Sequence, residues 1–151
     1  MTFLCRDISI DQTIVGFKGR HVLVNYIRIK KHHQWGPKEY NLADSNTGYV
    51  YKTLYHTAGM KVSQFGQPFD VCAKLLAGHE GKNHLLVVDN YTSIDLMEQL
   101  LSKKIYVTGA IRSNCRNLPS EVKKKASKKD EITAVRKGQM LALSGVDRKQ
   151  V

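Results

Sequence analysis

Two aspartates, Asp11 and Asp89, occupy positions from which a carboxylate could do chemistry. Asp89 directly follows an apolar run, LLVV at residues 85–88, which is typical of a strand buried on both faces. Asp11 lies on the polar side of an alternating stretch whose other side carries Ile8 and Ile10. If the two strands are neighbours, the carboxylates meet at one edge and repel each other unless a cation binds. Mg²⁺ accepts such oxygen ligands, with substrate phosphates completing its shell, and supports phosphodiester transfer.

Each acid also has a purely structural interpretation. From its own stretch, Asp89 fits a ligand-binding strand end and an N-terminal cap of the following helix equally well. Asp44 begins the turn DSNTG, where capping of its own backbone is the favoured role, so we leave it out of the site. Spacing alone does not show that the strands of Asp11 and Asp89 are neighbours.

The segments around these acids predict a mixture of strands and helices. Residues 39–56 predict a hairpin around DSNTG, with Asn46 or Gly48 at positive φ, and residues 21–31 fit either a second extended segment or a long loop. Residues 68–77 predict a short helix that ends at Gly78. Its apolar stripe consists of Cys72, Leu75 and Leu76.

Residues 85–111 predict a β-α-β unit with a parallel crossover. Thr92 or Ser93 can cap its helix, and the apolar positions at helical spacing are Met97, Leu100 and Leu101. The strand IYVTGAI follows. Residues 112–139 are polar and basic, with little to bury, so we expect them on the surface or mobile.

The cysteines and the hydropathy exclude several classes of protein. The three cysteines are odd in number and far apart, and Cys72 and His79 have no zinc spacing, so free thiols are expected. No apolar run is long enough to span a membrane, and the N-terminus lacks the pattern of a signal peptide.

The charge of this 151-residue chain favours a polyanionic partner, with nucleic acid the leading candidate. The net charge is +11, and residues 112–151 contribute 11 Lys and Arg against 4 Asp and Glu, or +7. Arg112 and Arg116 follow a predicted core strand that would hold them rigidly near the site. A lysine cluster could contact phosphates or act as a nuclear localisation signal, and a solvated basic loop is an equally common reading. This cluster comprises Lys123, Lys124, Lys125, Lys128 and Lys129.

Three motifs, in this order and spacing, resemble the catalytic core of piggyBac transposases and proteins derived from them. They are IDQTIVGFKGR, YIRIKKHHQWGPKEYNLADSNTGYVY and VVDNYTSIDLMEQLLSKKIYVTGAIRSNCRNLP, and the resemblance extends over residues 6–151. It implies an α/β, ribonuclease H-like mixed sheet with flanking helices, in which the first three strands are antiparallel and a fourth is parallel to the first. It also implies DNA cleavage and strand transfer with Mg²⁺ or Mn²⁺, a nuclear location, and a homodimer or a full-length transposase as protein partner.

The resemblance assigns two of the family's three catalytic aspartates, Asp11 and Asp89. Gln12 departs from the family pattern, which has a glutamate there, while the triplet KGR at residues 18–20 is kept. None of the acids Asp130, Glu131 and Asp147 lies in a motif that matches the third aspartate. We therefore expect residues 1–111 to be a partial transposase core, truncated before its last elements, and residues 112–151 to be its basic, partly irregular continuation.

With two carboxylates, autonomous catalysis is not expected, since two-metal chemistry needs more ligands. Two alternatives remain. One is a domesticated DNA-binding or scaffold module that uses its basic C-terminal segment. The other is a nuclease subunit whose missing carboxylate comes from another chain or from another part of its own gene.

Overall fold

The computed structural model describes residues 4–26, 34–57, 62–89, 92–123 and 132–145. These residues form two compact units, Met1–Ile111 and Arg112–Val151. In the first unit, strand β1 (Asp7–Ile14) is central because it pairs with strands on both sides. Its alternation is as the sequence predicts, since Ile8 and Ile10 are buried while Asp11 is exposed.

The first sheet combines antiparallel and parallel pairs. Antiparallel to β1 lies β3 (Trp35–Asp44), which also pairs with β4 (Val50–Tyr55) and with the short strand β2 (Val24–Tyr26). On the other side, β5 (Leu85–Val88) runs parallel to β1, and β6 (Tyr106–Gly109) runs parallel to β5. The predicted hairpin and β-α-β unit are both confirmed. Strand β2 resolves part of the ambiguous segment 21–31, whose residues 27–31 lie outside the described part.

Two helices cover one face of this sheet. Helix α1 (Gln67–Leu75) buries the predicted stripe of Cys72, Leu75 and Leu76, and Gly78 follows with φ 87°. Helix α2 (Ile94–Ser102) buries Leu96 and Leu100 against the same core. In the described ranges, neither helix nor any other is long and apolar enough to cross a membrane.

A single apolar core joins the helices to the sheet. Alternate strand residues supply one side of it and the two helices supply the other, so each element buries one face, as layered α/β packing requires. Burial raises the pKa of the Cys72 thiol to about 12, which keeps it protonated and unreactive, and all three cysteines are free. The strand residues in the core are Ile8, Ile10, Tyr40, Leu42, Leu86 and Val88.

The second unit contains regular elements that the sequence did not predict. Helix α3 (Ser120–Lys123) contacts a hairpin of β7 (Ile132–Lys137) and β8 (Met140–Gly145). A two-residue loop joins Lys137 to Met140, and its first residue, Gly138, has φ 58°. Tight hairpin turns need positive φ at this position, so the Gly-Gln pair was the local signal that the sequence analysis missed.

Asp44 has the structural role that its turn predicts. Its side chain is buried, and Oδ1 accepts hydrogen bonds from the Asn46 and Thr47 N–H groups at 2.9 Å. Oδ2 accepts one from the backbone N–H of Cys5 at 3.3 Å. The Cys5 thiol, followed by the Thr47 N–H, lowers the pKa of Asp44 well below the usual carboxyl range.

We expect Asp44→Asn to lower the thermal unfolding midpoint at neutral pH by several degrees, because an amide lacks the charge that these donors stabilise. Stability from an acid whose pKa is lowered on folding is present above the unfolded pKa of about 4 and is lost as the pH falls through the folded pKa. The difference in unfolding midpoint between the wild-type protein and Asp44→Asn should therefore narrow below about pH 4. Thermal unfolding followed by circular dichroism measures this difference, and a difference that does not change with pH would contradict the proposed role of Asp44.

Candidate functional site

The pairing of β1 with β5 brings Asp11 and Asp89 to the same edge of the sheet. The parallel register aligns Ser9 with Val87 and Ile10 with Val88. The next residues are Asp11, within β1, and Asp89, which directly follows β5, so both lie at the point where this ladder ends. Neighbouring strands lie about 4.8 Å apart, a separation that lets two carboxylates share one cation.

Both aspartates are exposed, and each directly follows a buried core residue, Ile10 or Val88. Asp11 lies on the face of β1 opposite the core, because strand side chains alternate. The alternative role of Asp89 as a helix cap is excluded. Ser93 is the N-cap of α2, and its side chain accepts a hydrogen bond from the Leu96 N–H at 3.2 Å.

Asp11 is held next to an ordered polar group on β3. Its register partner is Asn41, whose amide nitrogen donates to Glu39 at 3.1 Å. The amide oxygen of Asn41 accepts from the Thr53 hydroxyl at 2.6 Å. These two bonds fix the orientation of the amide, and the Asp11 carboxylate accepts a hydrogen bond from the Gln12 N–H at 2.7 Å.

The donor set at this edge fits a hard divalent cation. Two exposed carboxylates, one within β1 and one directly after β5, offer oxygen ligands and would leave the remaining positions to water or to phosphate oxygens, which is how Mg²⁺ is commonly bound. Within the described residues, no group of three or more histidines, cysteines and acids is placed to hold a metal.

A close backbone contact fixes the end of β5 that carries Asp89. Gly109 pairs with Val88, and a Cβ at position 109 would lie 1.9 Å from the Val88 carbonyl oxygen. Only glycine allows the strands to approach this closely. Beyond this contact, the Thr92 hydroxyl donates to the Ala110 carbonyl at 2.9 Å and ties the loop after β5 to the end of β6.

An open cleft with cationic and aromatic walls lies beyond Asp11 on the continuation of β1. The ladder with β3 extends past Ile14, since the Val15 N–H donates to the Pro37 carbonyl and the Phe17 N–H to the Trp35 carbonyl, both at 3.1 Å. The cleft has a volume of about 560 Å³. Its lining residues are Phe17, Lys18, Gly19, Arg20, His21, Val24 and Trp35.

The aromatic residues of the cleft are accessible. Trp35 is 57% exposed and Phe17 is 43% exposed. Tyr26 supports Trp35, with ring centroids 4.7 Å apart. Cations beside exposed aromatic rings are typical of surfaces that bind single-stranded nucleic acid. The KGR triplet at residues 18–20 was identified from the sequence as a feature of the family, but the cleft was not predicted. Part of the cleft is lined by Trp35, which lies more than ten residues further along the chain.

The structure describes three of the predicted nucleic-acid-binding residues, Arg112, Arg116 and Lys123. All three are exposed, and all belong to the second unit. The Cys115 N–H donates to the Arg112 carbonyl at 2.9 Å, which forms a turn between the two arginines. The predicted residues Lys124, Lys125, Lys128 and Lys129 lie outside the described residues.

In this mixed sheet β3 is antiparallel to β1, while β5 and β6 run parallel to β1, and helices cover one face. This arrangement defines a ribonuclease H-like fold. A family model described as Transposase IS4 matches residues 4–151. The chain therefore belongs to this family of DDE transposases, and the transposase family that the sequence motifs indicate is confirmed.

A solved structure of piggyBac transposase, in a synaptic complex with hairpin DNA, is similar to this chain with a TM-score of 0.88. Sequence identity is 24%, and the match covers 97% of this chain and 31% of that chain. The likeness confirms the ribonuclease H-like fold. The present chain corresponds to about a third of the length of that transposase.

We expect Gly109→Ala to destabilise the protein by about 1–3 kcal/mol, the usual effect of overpacking a tight contact. The added methyl group would push the Val88 carbonyl and move the end of β5, so divalent-cation affinity should fall as well. Urea unfolding and calorimetry measure the two effects. Thr108→Ala, one residue away on the same exposed strand, is the control and should leave cation affinity unchanged. A stable Gly109→Ala protein with normal affinity would contradict the proposed contact.

Proposed function

We propose that this chain is part of a DNA transposase catalytic core that binds a divalent cation through Asp11 and Asp89 and binds DNA beside them. The observation that supports the proposal is the parallel register of β1 and β5, which ends at Ile10 and Val88, the residues directly before the two aspartates. Membership of the DDE transposase family supports it, because such transposases typically use divalent metals.

The metal part of the proposal rests on the chemistry of the two side chains. When bound, Mg²⁺ or Mn²⁺ would stabilise the charge that develops on a transferred phosphodiester group. Asp11 and Asp89 would hold the ion, and the Gln12 N–H donates to the Asp11 carboxylate at 2.7 Å. The two carboxylates are one fewer than the family resemblance implies for cleavage, so we propose that this chain alone does not cleave DNA.

The DNA part of the proposal rests on charge and on the cleft. A net charge of +11 attracts a polyanion, and Lys18 and Arg20 place two of these charges beside exposed aromatic rings. The similar piggyBac transposase was solved with hairpin DNA, which supports the same class of ligand here. We further propose a nuclear location, with a second copy of the chain or a longer transposase as protein partner.

We expect calorimetric titration with Mg²⁺ or Mn²⁺ to detect weak binding that falls at least about ten-fold in the double variant Asp11→Asn, Asp89→Asn, because both carboxylates contribute ligands. The matched control, Glu80→Gln with Glu98→Gln, removes the same charge from other parts of the first unit. Equal affinity in the wild-type protein and the aspartate variant would refute the metal site. Nicking of supercoiled DNA by the purified chain would refute the proposed inactivity.

For DNA, we expect Lys18→Gln with Arg20→Gln to weaken binding of a short oligonucleotide and to reduce the slope of log affinity against log salt by roughly 1–2, because each lost phosphate contact removes about 0.7–0.9. Trp35→Ala should weaken single-strand binding without changing the slope, since stacking involves no counterion. Fluorescence anisotropy measures both. The control variant, Lys82→Gln with Lys104→Gln, removes two charges that precede β5 and β6, at the other edge of the sheet.

A second candidate function is a DNA-binding or scaffold module that uses the basic C-terminal segment. One observation favours it: residues 112–151 form a compact unit of their own, with its own helix and hairpin. The same anisotropy experiment separates the two candidates. If Arg112→Gln with Arg116→Gln and the removal of the lysine cluster abolish binding, while Lys18→Gln with Arg20→Gln has no effect, the module is the better description.

A further inference from the structure

We propose that His79 and His84 together form a binding site for a borderline divalent cation, for which Zn²⁺ is the natural probe. The two histidines flank the turn that joins α1 to β5, and their rings are in edge contact, with centroids 5.7 Å apart. The site lies where β5 begins, whereas Asp89 lies where β5 ends. Asp89 is five positions after His84 in extended chain, so their Cα atoms are roughly 16 Å apart.

The backbone partner of His84 selects the tautomer of its neutral ring. Its Nδ1 lies 2.9 Å from the Cys5 carbonyl oxygen, and a carbonyl accepts hydrogen bonds, so Nδ1 carries the proton. In the neutral ring the lone pair is then on Nε2. A histidine that donates one ring N–H to a backbone carbonyl and presents its other nitrogen is the usual arrangement of a metal-bound imidazole.

The nitrogen that His84 presents is buried and unsatisfied. The residue is 3% exposed, and among the described residues its Nε2 has no hydrogen-bond partner. The same holds for Nδ1 of the neighbouring His79. Buried polar atoms are normally paired, so two unpaired nitrogens on rings in contact indicate a missing ligand. His56 provides the contrast, since its Nδ1 lies 2.8 Å from the Gln67 amide nitrogen.

The spacing of the rings suits a shared metal ion. Zinc binds imidazole nitrogen at about 2.0–2.1 Å, so two rings on one tetrahedral ion have centroids roughly 5–6 Å apart. The observed 5.7 Å falls in this range. Two imidazoles would leave two positions on the ion for water or another ligand. Nitrogen ligands favour zinc, copper or nickel over magnesium, so the site differs in chemistry from the carboxylate pair.

The surroundings of His79 disfavour its protonated form. Burial lowers the pKa of His79, and the nearby charges of Lys82, His84 and Lys52 lower it further, while Glu80 acts in the opposite direction. Metal binding requires an unprotonated imidazole, so a lowered pKa keeps this ligand available at neutral pH. The two lysines also repel a cation, and we therefore expect the affinity to be modest.

The test uses the full chain with four background substitutions. Asp11→Asn and Asp89→Asn remove the carboxylate pair. His32→Ala and His33→Ala remove two consecutive histidines that could compete for the metal ion. We expect this protein to bind one equivalent of Zn²⁺ by calorimetry, with no competition from Mg²⁺. His79→Ala should weaken binding at least about ten-fold. His56→Ala is the matched control and should leave the affinity unchanged.

A second readout reports on His84 without mutating it. In ¹H–¹⁵N spectra of the imidazole groups, Zn²⁺ should shift the Nε2 resonance of His84, whereas Nδ1 should remain protonated. This shift should disappear in His79→Ala. The proposal would be overturned by the absence of Zn²⁺ binding, by unchanged binding in a folded His79→Ala protein, or by Zn²⁺ binding that leaves His84 Nε2 unshifted. Each of these outcomes is independent of the carboxylate site, because the aspartates are absent throughout.

Discussion

Hydrogen bonding of β1 to β3 on one side and to β5 on the other is the constraint on which the first unit depends. The antiparallel ladder with β3 extends over the whole of β1, and the parallel ladder with β5 fixes which residues of two distant segments are aligned. A shift of one residue between β1 and β5 would turn Ile8 and Ile10 out of the core. Burial of the core therefore favours the register in which Ile10 pairs with Val88, directly before the two aspartates.

The acids of this unit differ in role because they differ in partners. Asp44 lies where β3 ends, and backbone donors and the Cys5 thiol surround its carboxylate, so its charge is already compensated within the protein. Asp11, within β1, and Asp89, directly after β5, are exposed where the ladder between these strands ends. The Asp44 carboxylate stabilises a turn, whereas the other two carboxylates are accessible from solvent. The backbone of Cys5 links Asp44 to His84. Its N–H donates to the Asp44 carboxylate, and its carbonyl accepts from the His84 ring.

Local patterns predicted most of the first unit. The alternation of Ile8 and Ile10, the LLVV run and the helical stripes each report burial within a few residues, and burial is what forms these elements. Strand partners are a different matter, since β1 and β5 are separated by more than seventy residues and periodicity carries no pairing information. The resemblance to a known family supplied that pairing. The hairpin β7–β8 was missed. Its apolar residues Ile132, Leu141 and Leu143 are exposed, whereas the apolar side of a predicted strand is expected to be buried.

The cleft could not be predicted for the same reason, yet it is rigidly tied to the aspartates. Hydrogen bonds join β1 and its continuation to β3 from Asp11 to Phe17, so the distance from the carboxylate to the cleft cannot change without breaking the ladder. Six residues of extended strand span roughly 20 Å. The ladder therefore holds the Asp11 carboxylate and the cleft at a fixed separation of roughly 20 Å.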